Sequence, residues 1–175
     1  MWQLRLEQPS DARAIEAVVT HGFGAGRFAK TAYRLREGVA PEKRLCFVAE
    51  ENGTLLGAVR FWPVLIGQER SLLLGPLAVQ PELRGQGIGI ALMKKGIEEA
   101  ARLGFGAIIL VGDESYYSRA GFQKIKPGHI RFPGPVDPTR ILGLALKQGA
   151  LEKLSGAVAR AGVDDPVSAS AAPLG

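Results

Sequence analysis

Arg84-Gly85-Gln86-Gly87-Ile88-Gly89 stands between an apolar run with strand character, residues 71–79, and one with helical spacing, residues 87–103. Glycines at 85, 87 and 89 let the backbone take conformations closed to other residues, as tight turns and anion-binding loops both use. They also let backbone N–H groups approach an anion with no Cβ in the way. The helix that follows adds its unsatisfied N-terminal donors and the positive end of its dipole, and Arg84 places a fixed cation beside that nest. The run has the chemistry of a diphosphate cradle.

The strand leading into it carries its own constraint. Residues 71–79 have the composition of a central buried strand, but Gly75-Pro76 interrupts them. Proline donates no ladder hydrogen bond, so the strand must lose pairing or bulge near Pro76. Neighbouring backbone groups are then left to bond something other than a strand. Past the loop, Ile88, Leu92, Met93, Ile97 and Ala100 recur at three- and four-residue steps, Lys94, Lys95, Glu98 and Glu99 occupy other faces, and Gly104 stops the run, which predicts an amphipathic helix.

Around this centre the chain alternates strand and helix. Trp2, Leu4 and Leu6 alternate with polar residues, and Pro9-Ser10-Asp11 offers capping chemistry before Ala14, Ile15, Val18 and Val19 at helical spacing. The glycines of residues 21–26 break that helix, and residues 27–37 are expected to form a second, shorter one. Residues 45–50 and 55–62 flank Glu51-Asn52-Gly53-Thr54, a strong hairpin signal. Residues 107–111 predict a buried strand, 114–120 a short helix, 123–126 and 141–146 two more strands. Pro127, Pro133, Pro135 and Pro138 make the connection between those last two stiff. The last strand could act as an edge that pairs across a homodimer. From Ser155 the composition shifts to Ala, Gly, Ser and Pro, so one domain is expected over residues 1–152 and a loose tail over 153–175.

With 175 residues, 46% hydrophobic and 22% charged, the chain suits one domain that buries its core without disulfides or metal. Cys46, the single cysteine, sits beside Leu45, Phe47 and Val48 and suits a small buried hydrophobe better than a nucleophile. His21 and His129 have no ligand spacing, and no metal site is expected. No apolar run approaches the roughly 18 residues of a spanning helix. Arg5, Glu7, Asp11, Arg13 and Glu16 exclude the apolar region of a signal peptide, which suggests a cytoplasmic protein without membrane contact. A net charge of +5 suits an anionic partner. A nucleotide-like ligand satisfies it as well as nucleic acid would, and aromatic and basic residues are not interleaved on any one strand, so no nucleic-acid partner is expected. The glycine spacing fits neither a Rossmann fingerprint, which needs G-x-G-x-x-G near an N-terminal strand, nor a Walker loop, which needs Gly-Lys-Ser/Thr.

Leu77-Ala78-Val79-Gln80-Pro81-Glu82-Leu83-Arg84-Gly85-Gln86-Gly87-Ile88-Gly89 resembles the acetyl-CoA motif of GNAT N-acetyltransferases, Q/R-x-x-G-x-G/A, with Arg84, Gly87 and Gly89 filling it. Tyr117-Ser118-Arg119-Ala120-Gly121-Phe122 is similar to the family's second signature, a Tyr four residues before Gly-Phe. The resemblance covers roughly residues 1–150 by element order. Gly112-Asp113-Glu114-Ser115-Tyr116-Tyr117 and Pro133-Gly134-Pro135-Val136-Asp137 resemble a bacterial branch of predicted acetyltransferases. The fold implied is α/β (α+β): a strongly twisted mixed sheet with antiparallel N-terminal strands, a splayed central parallel pair and flanking helices.

The same resemblance implies that acetyl-CoA is the cosubstrate. Leu77, Ala78 and Val79 would lie along its pantetheine arm, with backbone groups of Leu77 and Val79 bonding it, while Arg84, Gly85, Gln86, Gly87, Ile88 and Gly89 would hold the diphosphate. The reaction implied is direct attack of a neutral primary amine, of a small molecule or peptide, on the thioester, with CoA leaving as a thiolate that needs a proton. Tyr117 is the candidate general acid, since a phenol with pKa near 10 is protonated at neutral pH. Tyr116 competes with it, although adjacent helical residues point about 100° apart. A general base is harder to place: residues 72–76 hold no carboxylate, which leaves Asp113, Glu114, Glu69 or a chain of waters, and Asp113 equally suits a helix cap. Phe23, Arg27, Arg34 and Arg131 are candidates for gripping the acceptor. A CoA-binding sensor without transferase activity is the alternative, motivated by the missing base.

Overall fold

The protein, described as a computed structural model over residues 1–23, 35, 36 and 38–161, opens with β1 (Gln3–Leu6), the 3-10 turn Pro9–Asp11 and α1 (Ala12–Phe23). Helix α1 thus runs through Gly22, further than its glycines suggested. The expected helix at residues 27–37 falls almost entirely outside the described residues. Arg5 ties this opening to the sheet through Asp11 (2.8 Å) and Glu50 (3.0 Å).

Strands β2 (Phe47–Glu51) and β3 (Thr54–Ile66) form the expected hairpin, with Asn52 at φ 52° and Gly53 at φ 80°, the turn geometry that matches strand twist. Strand β3 continues through Pro63 to Ile66, beyond residue 62 where it was expected to end. Phe61 C=O accepts from Glu42 N on the β2 side, so by alternation the nitrogen of residue 63 points the same way. There β2 has ended at Val59 and the next partner begins only at Val64, so the missing donor interrupts no ladder.

After β4 (Glu69–Val79) come α2 (Ile88–Arg102), β5 (Ala107–Val111), α3 (Glu114–Tyr117) with a 3-10 turn through Ala120, and β6 (Gln123–Lys124). Strands β7 (Ile130–Arg131), β8 (Ile141–Ala145) and β9 (Gly156–Arg160) complete the described chain. The sheet order is β1-β2-β3-β4-β5-β8-β6, with β4 and β5 the parallel pair along that path, and β9 joins β3, to which it is antiparallel, to β7, to which it is parallel. On one face α2 packs Leu92 and Met93 onto Phe47, Phe61, Leu72 and Ile108; on the other α1 packs Ile15 and Val18 onto Val48, Leu55 and Ala58.

Two expectations need correction. Gly156–Arg160, assigned to a loose tail, forms β9 along Val64–Ile66, and Leu154 and Val158 close a second core with Trp62 and Ile66. Its small residues are enough because main-chain pairing, which composition does not reveal, holds it. The strand at residues 141–145 is not an edge: β5 pairs its whole length on one side and β6 pairs Leu142 and Gly143 on the other.

Candidate active site

The strand β4 changes character at Gly75-Pro76. Opposite it, the register with β3 passes from Phe61↔Leu74 to Val59↔Leu77, so two residues of β4 face the single Arg60: a bulge where the proline required one. Trp62 Nε1 donates to the Gly75 carbonyl and pins it. Before the bulge β4 pairs with β5 at Leu72↔Ile108 and Leu73↔Ile109; beyond it that ladder ends and the parallel strands splay. Gln80 N donates to Leu56 O (2.8 Å), so Gln80 and Ala78 are the residues that bond β3, and by alternation Leu77 and Val79 turn N–H and C=O toward the side β5 does not reach. Ala78 has its backbone in the ladder and its methyl against α1.

A groove of about 960 Å³ opens along this unpaired half and runs onto the glycine loop. Gly85 and Gly87 have φ of 85° and 86°, and a Cβ on either would project into open space. Gly87 is the N-cap of α2, and the first intrahelical bond runs from Ala91 N to Gly87 O at 3.0 Å, so the earlier amides have no intrahelical acceptor and lie at the groove wall. Arg84, exposed, lines it as well. A neutral pocket would not need this array of donors, and it suits the phosphates of a nucleotide-like ligand.

The facing wall comes from the β5–α3 joint. The Tyr117 ring lies so close over Gly112 that a Cβ there would strike it, and Tyr116 approaches α2 so closely that a Cβ on Gly89 would strike its hydroxyl. The two rings meet edge to face at 5.0 Å, and both line the groove at different places: Tyr116 against the helix start, Tyr117 against the end of β5. Burial pushes the Tyr117 phenol up to about 12, helped by Tyr116 and the negative charge of Asp113 and opposed by Arg140, so it is protonated at neutral pH. Burial raises Tyr116 too.

Leu77, Ala78, Val79, Arg84, Gly85, Gly87, Ile88, Gly89 and Tyr117 are thus brought to one groove; Gln86 is exposed in the same loop but off the lining. Arg131 is not on the lining either: it lies in β7, paired to β9. The Phe23 side chain, Arg27 and Arg34 lie outside the described residues. Trp62, Arg60 and Arg119 line the groove unforeseen, and no local pattern marks them, because the bulge and the α3 turn deliver them. Glu7 already engages Arg60 through both oxygens (2.7 and 3.0 Å). The Cys46 thiol is buried, pushed up to about 12 and donating to Glu42 O, as suits a structural residue. Among the described residues no group of three or more His, Cys, Asp or Glu could hold a metal ion, and no helix is long and apolar enough to cross a membrane.

Residues 13–124 match the acetyltransferase (GNAT) family. The chain belongs to that family. Escherichia coli K12 YhbS, an uncharacterized N-acetyltransferase, is 31% identical over 157 residues, spanning 89% of this chain and 93% of YhbS. YjhQ of the same strain is 32% identical over 130 residues, 72% of this chain and 71% of YjhQ. A crystal structure of E. coli YhbS in complex with CoA superposes with a TM-score of 0.75 at 30% identity, covering 91% of this chain and 89% of that one. A Brucella melitensis GNAT acetyltransferase in complex with acetyl-CoA superposes at 0.59, also 30% identical, covering 82% and 96%. The mixed sheet with its splayed parallel pair is the GNAT fold.

Proposed function

We propose that this GNAT protein transfers the acetyl group of acetyl-CoA to a primary amine of a small molecule or peptide, by direct attack with both substrates bound. One observation carries the reading: the half of β4 that turns unpaired N–H and C=O groups into the groove runs straight into the Arg84–Gly89 cradle and lies opposite a protonated Tyr117. The cofactor supplies the acetyl group already activated as a thioester. Leu77 and Val79 align its pantetheine arm by main-chain bonds, and the loop amides with Arg84 hold its diphosphate. Tyr117 gives its proton to the sulfur as the C–S bond breaks. The amine enters past Trp62, whose indole bonds the Gly75 carbonyl at the bulge, and past Pro135-Val136, all of which line the groove.

Calorimetric titration with acetyl-CoA, run beside a thiol-release assay over a panel of primary amines, tests cradle and chemistry together. Expected are saturable one-to-one binding and transfer to at least one amine. Binding with no transfer to any amine would instead favour a CoA sensor.

A further inference from the structure

One group at the groove is unused by that mechanism. Asp113 holds the N-cap position of α3 with extended φ and ψ (−87°, 121°), yet its side chain makes no capping bond. In the same protein Asp137 and Glu42 do cap, accepting from Thr139 N at 2.9 Å and Arg44 N at 3.3 Å. The Asp113 carboxylate instead lines the groove, 74% exposed, with Arg140 Nη2 at 3.4 Å. Tyr117 N donates to Asp113 O at 3.0 Å, both residues line the groove, and the Asp113 charge bears on the Tyr117 phenol. An ion pair this exposed adds little to stability, so holding the fold does not account for the placement. The other acidic residues on the lining serve less well. Asp137 spends one oxygen on both N–H and hydroxyl of Thr139. Glu16 belongs to α1, which packs on the opposite face of the sheet from the cluster that holds Tyr117.

Resting on the acetyltransferase reading, we propose that Asp113, oriented by Arg140, receives the acceptor amine and takes its proton during transfer. As the new C–N bond forms and the C–S bond breaks, the nitrogen loses one proton to Asp113 and the sulfur gains one from Tyr117. Solvent then returns the proton to Tyr117 and removes the other from Asp113, so amine and thioester become amide and thiol with no other reactant. Asp113 and Tyr117 form the proton-handling pair, and Arg140 is a positioning residue.

The test is steady-state transfer by the full chain with phenylethylamine, spermidine and a tripeptide bearing a free N-terminus, and acetyl-CoA affinity measured by calorimetry. Asp113→Asn is expected to lower kcat about a hundredfold and to raise KM for the amine, with acetyl-CoA affinity unchanged within about twofold. Asp113→Glu should recover part of the rate. Arg140→Gln should lose less than Asp113→Asn and covers the case in which the latter fails to fold. Full activity in Asp113→Asn, or a parallel fall in acetyl-CoA affinity, overturns the proposal, as does full activity in Arg140→Gln. If the wild-type protein transfers to no amine, the transferase reading itself fails and takes this one with it, an outcome recognised because the unmutated chain is silent.

Discussion

The two halves of β4 are built from much the same residues and end in opposite roles. Leu72 and Leu73 are wholly buried, and their backbones are claimed by β3 on one side and β5 on the other. Leu77 and Val79, just as apolar, are half-buried, and only β3 runs beside them. Side-chain hydrophobicity does not separate the halves; the bulge at Gly75-Pro76 does, by ending the parallel ladder and turning saturated main chain into a row of donors and acceptors. An open row of main-chain groups along the groove, the surface proposed to bind the cofactor, arises here from pairing withheld. That makes it tolerant of side-chain change and sensitive to backbone change, the reverse of the core half.

The largest effect that would break the comparison is chemical. Tyr117→Phe keeps the ring that packs on Gly112 and removes only the hydroxyl. It is expected to lower kcat on the order of a thousandfold, with acetyl-CoA affinity by calorimetry unchanged. Next comes the contrast within the strand. Leu73→Ala should cost about 3 kcal/mol in urea unfolding, whereas Leu77→Ala should cost about 1 kcal/mol or less and retain turnover, because its proposed contacts are main-chain. Equal losses at both positions would erase the distinction. Gly87→Val, at φ 86°, should weaken acetyl-CoA binding about tenfold through backbone strain in the cradle.

The smallest effect is alkaline. Burial holds Tyr117 at about 12, above its ordinary value near 10, so the folded protein keeps a proton that the unfolded chain releases. The stability tied to this group is complete below about pH 10 and is lost as pH rises toward 12. Cys46, also raised to about 12, adds loss in the same direction beginning nearer pH 9. Thermal unfolding followed from pH 8.5 to 11.5 should show a shallower decline in Tyr117→Phe than in the wild type; identical slopes would mean that the phenol is not shielded.

Local chemistry accounts for what was legible in the chain. The α2 periodicity, the Asn52-Gly53 turn, the break at Pro76 and the glycine turn into α2 each depend on residues within a few positions of one another, and each stands where it was expected. What escaped depends on distant partners. Pro63 is harmless inside β3 only because β2 ends before it and β9 starts after it. Asp113 was equally suited to a cap, and Arg140, 27 positions on, stands beside its carboxylate at the groove instead.

The amino-acid sequence by itself determined where main chain must be released and what chemistry could collect there: a proline removes one donor wherever the strand lies, and glycines admit an anion in any setting. Only the tertiary structure decided which wall faces that opening, because the approach of Tyr117, Asp113 and the proline-rich connection depends on how far β5 diverges from β4. That divergence is a property of the whole sheet, and no short stretch of residues encodes it.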